Sequence, residues 1–316
     1  MPVVVTGAAG FIGSTLVDQL LAEGREVVGI DSFTDYYDPA RKRANLSAAL
    51  ANPNFRLVEA NLVDADLLPI IGDAEIVWHL AGQPGVRLSW SDGFRAYNDL
   101  NVLATQRLLE AVKTAGTPRM VYASSSSVYG NAERFPTLET DRPEPFSPYG
   151  VTKLAAEHLC VLYAANWSIP TVALRYFTVY GPRQRPDMAH HRLIEAALDQ
   201  TSFPLFGDGS QERSFTFVDD VVDATIRAGV TPDVAAGTVL NVAGAFSCTL
   251  SQLIDTVGDA VGQPVPLDRQ PAAAGDAAKT GGSTVEIERV LGWRARTTLE
   301  DGAAAQVTYH RSLRDA

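Results

Sequence analysis

The chain has 316 residues, 46% hydrophobic and 20% charged, with a formal net charge of −11. This composition excludes a disordered or fibrous chain, and the acidity argues against non-specific binding to nucleic acid or an acidic membrane. Two cysteines, Cys160 and Cys248, exclude a disulfide scaffold and a cysteine-built zinc site.

The start, Met1-Pro2-Val3-Val4-Val5-Thr6-Gly7, has no basic stretch ahead of its apolar run, so no signal peptide is expected. No uninterrupted apolar run reaches the ~20 residues of a membrane span. The expectation is a cytoplasmic enzyme with neither nucleic acid nor membrane as partner. Val3–Thr6 reads as a strand and Phe11–Ala22 as a helix. Further strands are expected at Glu26–Asp31, Phe55–Glu59, Glu75–His79, Arg119–Ala123 and Thr171–Arg175. Asp35–Asn54 reads as a polar, helical insertion, and Asn98–Ala115 and Tyr149–Ala165 as helices. Strands alternating with helices predict an α/β fold, a doubly wound parallel sheet of the Rossmann type. Gly181–Pro186 reads as a loop, and the rhythm thins after it. The predicted organisation is a dinucleotide-binding domain over 1–177 and a smaller α/β substrate domain over 178–316. The strand-helix-strand stretch Ser214–Asn241 is placed as a possible return to the first sheet. Ala272–Gly282 reads as a loop or lid, and Leu250–Val261 and Leu299–Tyr309 as amphipathic packing helices.

Between the first strand and the first helix stands Gly7-Ala8-Ala9-Gly10-Phe11-Ile12-Gly13. Glycines at 7, 10 and 13 permit a tight turn and close approach of a pyrophosphate to a helix N-terminus. Asp31 ends the second strand, where a carboxylate accepts from ribose hydroxyls and repels a 2′-phosphate. The expected cofactor is NAD, held by Gly7, Gly10, Phe11, Ile12, Gly13 and Asp31, with Asn61 and Leu62 beside the adenine.

Tyr149-Gly150-Val151-Thr152-Lys153 places a phenol and an ammonium at i and i+4, on one helix face. A nearby cation favours phenolate, so the pair is expected to lower the Tyr149 pKa toward neutrality. Only four of the 26 Lys and Arg residues are lysines, which makes Lys153 less easily accidental. Ser124-Ser125-Ser126-Ser127-Val128-Tyr129-Gly130 follows the fifth strand. Ligands of open α/β sheets bind at such carboxyl ends. His79 is expected to be buried and satisfied, Cys160 to be core, and the His190-His191 pair to lie on a solvated face. No metal is expected.

These motifs, with His79-Leu80-Ala81-Gly82-Gln83, Asn101-Val102, Arg175–Pro182, Arg213–Asp220 and Leu291-Gly292-Trp293, resemble the extended short-chain dehydrogenase/reductases, specifically the NAD-dependent nucleotide-sugar epimerases and dehydratases. The resemblance covers nearly the whole chain. It implies Ser125, Tyr149 and Lys153 as the catalytic trio, and Leu80, Ala81, Gln83, Asn101, Tyr149, Lys153 and Tyr176 on the cofactor. It implies Phe177 near the nicotinamide and substrate, Phe206 on the substrate, Arg213 on its diphosphate and Asp276 on the uridine ribose. It also implies a homodimer through the Asn98–Ala115 and Tyr149–Ala165 helices.

Members resembling 4,6-dehydratases carry an Asp-Glu pair where this chain has Ser126 and Ser127, and uronate decarboxylases carry Glu in place of Ser127. The expected reaction is therefore 4-epimerisation of a UDP-sugar. Asp35-Tyr36-Tyr37-Asp38, Thr178 and Arg185–Ala189 resemble UDP-glucuronate 4-epimerases. Ser125, Ser126, Ser127 and Thr178 would offer hydroxyls around the sugar, and Arg185 a charge-assisted contact to a carboxylate. Arg192 is a further candidate substrate contact. The alternatives are a UDP-glucose/UDP-galactose 4-epimerase, a decarboxylase or dehydratase, and a non-catalytic NAD-binding regulator.

Overall fold

A computed structural model describes residues 1–116, 118–244, 246–271 and 279–315. Seven parallel strands form the central sheet: β1 (Val3–Thr6), β2 (Val27–Asp31), β3 (Phe55–Glu59), β4 (Ile76–His79), β5 (Arg119–Ser125), β6 (Thr171–Tyr176) and Thr238–Val242. The last of these pairs with β6, and the order is Thr238–Val242, β6, β5, β4, β1, β2, β3. β1, β2, β4 and β6 are buried at every position, as expected of a parallel sheet covered on both faces. β3, at the edge, is only partly buried.

The order reverses at β1, which pairs with β2 on one side and β4 on the other. A ligand crevice is expected outside the carboxyl ends of strands at such a switch point. On one face the Val218–Val230 helix packs closely because Gly229 lies under the Trp78 ring, whose Nε1 donates to the Thr225 carbonyl at 2.8 Å. On the other face Leu108, Leu109, Val112, Ala156 and Cys160 fill the layer between sheet and helices.

The insertion after β2 forms two short helices, Pro39–Asn45 and Ser47–Leu50. The expected Asn98–Ala115 helix opens instead with a π turn over Asn98–Leu103 before Ala104–Thr114. Of the stretch Ser214–Asn241, only its closing strand joins the central sheet. Glu212–Phe217 lies in a second sheet, between Ser247–Thr249 and Lys279–Thr280, and also pairs with Thr178–Tyr180. Phe203–Phe206 and Leu267–Gln270 form a two-stranded ribbon. Leu250–Val261 and Leu299–Ser312 pack as helices beside Ala189–Asp199. No described helix is long and apolar enough to cross a membrane.

Candidate active site

The glycine turn is built for close approach. Gly7 has φ +70°, and a Cβ there would come within 2.7 Å of the Ala81 nitrogen. A Cβ on Gly13 would overlap the Gly7 carbonyl oxygen, so only glycine lets the helix sit this near β1. The helix begins after Gly10 with no side-chain cap, which leaves its first-turn N–H groups directed at the crevice. Asp31 Oδ2 accepts from the Ala9 N–H at 3.0 Å and Oδ1 from the Phe33 N–H at 2.8 Å. The carboxylate thus braces both turns while lining the crevice.

One continuous pocket crosses the carboxyl ends of the strands. It is lined by the glycine turn with Phe11 and Ile12, by Asp31, Asn61 and Leu62, and by Leu80, Ala81 and Gln83. It continues to Tyr149, Lys153, Tyr176 and Arg185. The donor set and the space a Cβ would fill both fit a dinucleotide. Asn101 stands behind the wall: its Oδ1 accepts from the Gln83 N–H at 2.7 Å and its Nδ2 donates to Thr152 Oγ1 at 3.0 Å. It holds the β4 loop to the Tyr149–Lys153 helix. Tyr176 offers its ring, because its hydroxyl is engaged by Thr225 at 2.7 Å.

Ser147 caps the Pro148–Trp167 helix by accepting from the Gly150 N–H at 3.1 Å, with Pro148 at its first position. This places Tyr149 on the first turn, its ring edge-on to Tyr97 at 6.1 Å. Burial raises the Tyr149 phenol above its ordinary pKa, opposed by the Ser125 hydrogen bond and the charge of Arg185. The expected lowering by Lys153 is not what this geometry does. Burial outweighs the other effects, and the cation acting on the phenol is Arg185. Lys153 itself is pushed down to about 8 by burial, and its Nζ lies over the Tyr122 ring, 4.6 Å from the centroid. Ser125 Oγ also accepts from the Ser127 N–H at 3.1 Å, shaping the Ser126–Val128 turn.

Arg185 is gripped by Asp187, Nε to Oδ1 at 3.0 Å and Nη2 to Oδ2 at 3.1 Å. Gln184, the residue before it, is locked by Gln306 Nε2, which donates to its Oε1 at 3.0 Å. Tyr36, Tyr37 and Lys42 are further pocket walls that no sequence expectation covers, although the first two stand in the Asp35–Asp38 motif. Ser124 is another, placed there only by the fold.

Other expected residues lie off this pocket. Arg192 is exposed over the Phe203 ring, 5.4 Å from the centroid, in a separate shallow cavity with Pro186 and Glu195. The phase of the Ala189–Asp199 helix turns His190 and His191 inward and Arg192 out. The two histidines are therefore buried, not solvated. His190 stacks on Tyr180 at 4.4 Å, and burial pushes its pKa down to about 3. Phe177 packs in a small cluster with Val128, Tyr129 and Ala243. Thr178 begins a strand against Phe215, Phe206 ends the ribbon, and Arg213 pairs in register with Cys248 and Thr280. Asp276 lies outside the described residues. His79 is buried between Thr6 Oγ1 at 2.7 Å and Thr105 Oγ1 at 2.9 Å, and Cys160 is core, both as expected.

Residues 3–243 match the model of the NAD dependent epimerase/dehydratase family. A crystal structure of UDP-glucuronic acid 4-epimerase from Bacillus cereus, in complex with UDP-glucuronic acid and NAD, superposes with a TM-score of 0.95 at 39% identity, covering 99% of this chain and 100% of that one. The uncharacterized UDP-glucose epimerase YtcB of Bacillus subtilis is 40% identical over 314 residues, 99% of each chain. UDP-glucose 4-epimerase of Mycolicibacterium smegmatis is 37% identical over 319 residues, also 99% of each. This chain belongs to the NAD dependent epimerase/dehydratase family.

Proposed function

We propose that the protein epimerises a UDP-sugar at C4, converting UDP-glucuronate to UDP-galacturonate with NAD as its resident cofactor. The observation that carries this is the union, in one pocket, of the glycine cradle, Tyr149, Lys153 and a fixed cation, Arg185. Bound NAD would take up hydride from C4 and return it to the opposite face of the resulting 4-keto sugar.

The chain's own residues do the rest. Tyr149 accepts the O4 proton during oxidation and returns it on reduction, aided by the Ser125 hydroxyl and the charge of Arg185. Lys153, buried on the helix face that carries Tyr149, supplies a second positive group. A 4-keto uronate is a β-keto acid that loses CO₂ readily. The hydroxyls of Ser126, Ser127 and Thr178, with Arg185, are proposed to hold the carboxylate so that the breaking bond stays out of line with the carbonyl. A charge-assisted contact of about 1.5–3 kcal/mol corresponds to roughly ten- to hundredfold in preference for the acid. Arg213 is proposed to meet the diphosphate and Asp276 the uridine ribose.

The names of YtcB and the Mycolicibacterium enzyme support a second reading, UDP-glucose/UDP-galactose 4-epimerisation. Purified protein incubated separately with UDP-glucuronate and with UDP-glucose, with no added cofactor, distinguishes them. UDP-galacturonate at an equilibrium ratio supports the first reading. Turnover of UDP-glucose alone favours the second, and release of CO₂ with a UDP-pentose removes the holding role of Ser127.

The organisation follows the same proposal: residues 1–177 serve the cofactor, 178–316 mainly the substrate, and 238–242 return to the cofactor side. The work is placed in the cytoplasm, in keeping with two buried free cysteines. It is also placed in a homodimer. Val151 and Leu162 stand 48% and 50% exposed, three turns apart on one helix face, with Leu103 and Trp167 also exposed nearby. Leu162→Glu is expected to convert a dimer to a monomer in light scattering, and a wild-type monomer refutes the assembly.

A further inference from the structure

The catalytic helix carries one more polar residue on its working face. Glu157 follows Lys153 by four positions and Tyr149 by eight, so the three share that face. Glu157 is 1% exposed and its partner Arg175, on β6, 4%. The guanidinium grips the carboxylate twice, Nη2 to Oε1 at 2.6 Å and Nε to Oε2 at 3.0 Å. Oε2 accepts a third bond from Ser124 Oγ at 2.6 Å. Nη1 of Arg175 donates to the Tyr129 hydroxyl at 2.7 Å, and Tyr129 donates on to Asn241 Oδ1 at 2.7 Å.

A buried ion pair is a costly way to hold two layers together, and apolar residues of the same volume commonly do it as well or better. What a fork adds is direction, since each bond has a fixed line and plane. Here the directions converge on the parts that carry the proposed chemistry. Ser124 precedes Ser125 at the end of β5, Arg175 precedes the pocket ring Tyr176, and Glu157 stands one turn beyond Lys153. We infer that Glu157 and Arg175 are positioning residues: their fork locks the ends of β5 and β6 to the helix face that presents Tyr149 and Lys153. The inference rests on the proposed roles of Ser125, Tyr149 and Lys153.

The carboxylate has a second effect through space. It raises the Lys153 pKa against burial. The other groups acting on or facing that ammonium are Cys160 of its own helix, Tyr122 of β5, and His79 of β4, which burial keeps neutral.

Glu157→Gln keeps the shape and, with its amide oxygen toward Ser124, that contact, but removes the charge and one arm of the fork. Arg175→Lys keeps the charge but removes the fork. Protein labelled with ¹³C at lysine Cε gives signals from four lysines only, and Lys153→Arg assigns the one that matters. The Lys153 titration midpoint is expected to fall by about half a pH unit or more in Glu157→Gln. In both variants kcat is expected to fall on the order of ten- to a hundredfold, with KM held within about twofold. A Lys153 midpoint that stays in place, or a kcat loss that only follows the folded fraction in thermal melts, overturns the inference. If Glu157→Gln does not fold, Ser124→Ala removes one of the three donors and is read the same way. An unchanged kcat there also overturns it. Tyr149→Phe keeps the two levels apart: if it retains turnover, the assignment of the trio fails, while the lysine titration still decides whether the fork acts on the site.

Discussion

The hydroxyl of Tyr36 donates to Asp187 Oδ2 at 3.3 Å, joining residues 151 positions apart. Asp187 also carries both bonds to Arg185, whose guanidinium lies 5.7 Å from the Tyr36 ring centroid. Arg185 is therefore anchored from the cofactor side as well as from its own loop. Burial and the charge of Asp187 push the Tyr36 phenol up to about 12, so it remains a donor throughout the working range.

Arg185→Leu tests that charge in two ways. Arg185 lowers the Tyr149 pKa, so its loss raises it. If deprotonated Tyr149 starts the oxidation, the acid limb of kcat moves to higher pH. The preference for UDP-glucuronate over UDP-glucose is expected to fall about tenfold or more, measured as the ratio of kcat/KM values. An unmoved limb removes Arg185 from the electrostatics of the phenol.

Gly13→Ala places a methyl group on the Gly7 carbonyl oxygen. Backbone must move on one side or the other, at a cost of about 1–3 kcal/mol or more. Protein purified from cells is expected to carry much less NAD, by absorbance of a denatured extract, and to melt several degrees lower for its size.

Asp31→Ala is expected to lose NAD without gaining NADP. The carboxylate that repels a 2′-phosphate also holds the Ala9 and Phe33 N–H groups, so its removal loosens the cradle for either cofactor. Melting shifts with each dinucleotide check this. A larger shift with NADP than with NAD sinks the idea that one side chain does both jobs.

Acid stability depends on the buried imidazoles. His79 and His190 are pushed down to about 3 and His191 to about 4, all below the unfolded value near 6.5. In that interval the unfolded chain binds more protons than the folded one. The stability tied to neutral imidazoles is complete above pH ~6.5 and is lost as pH falls toward the folded values. His190 has both ring nitrogens buried without a hydrogen-bond partner among the described residues. His190→Phe should leave the melting temperature at pH 7.5 within a few degrees and flatten its decline below pH 6. An equally steep decline assigns the acid sensitivity to other groups.

The cradle was legible in the sequence because it is local: a strand, three glycines, a helix and an acid at the next strand end lie within the first 31 residues. Tyr149 and Lys153 were legible for the same reason, being one helical turn apart. Helix phase after an irregular loop is not legible, so only the fold shows that Arg192 faces out and His190 in. The pKa direction of Tyr149 was not either, since burial depends on what the remaining chain packs around it. Glu157 sat four residues past Lys153 in plain view. Its meaning depends on Arg175 and Ser124, which only the fold brings to it.

The Thr238–Val242 strand covers the edge of β6 along its length. A fragment ending after Tyr176 would expose a row of unpaired backbone groups on a strand that is otherwise fully buried, a template for aggregation. It would also lack Thr225 to hold the Tyr176 hydroxyl. The cofactor half is thus a spatial unit without being a heritable cassette. Grafting it onto another substrate-binding module requires two cuts in the chain, and the strand that closes the sheet has to travel with it.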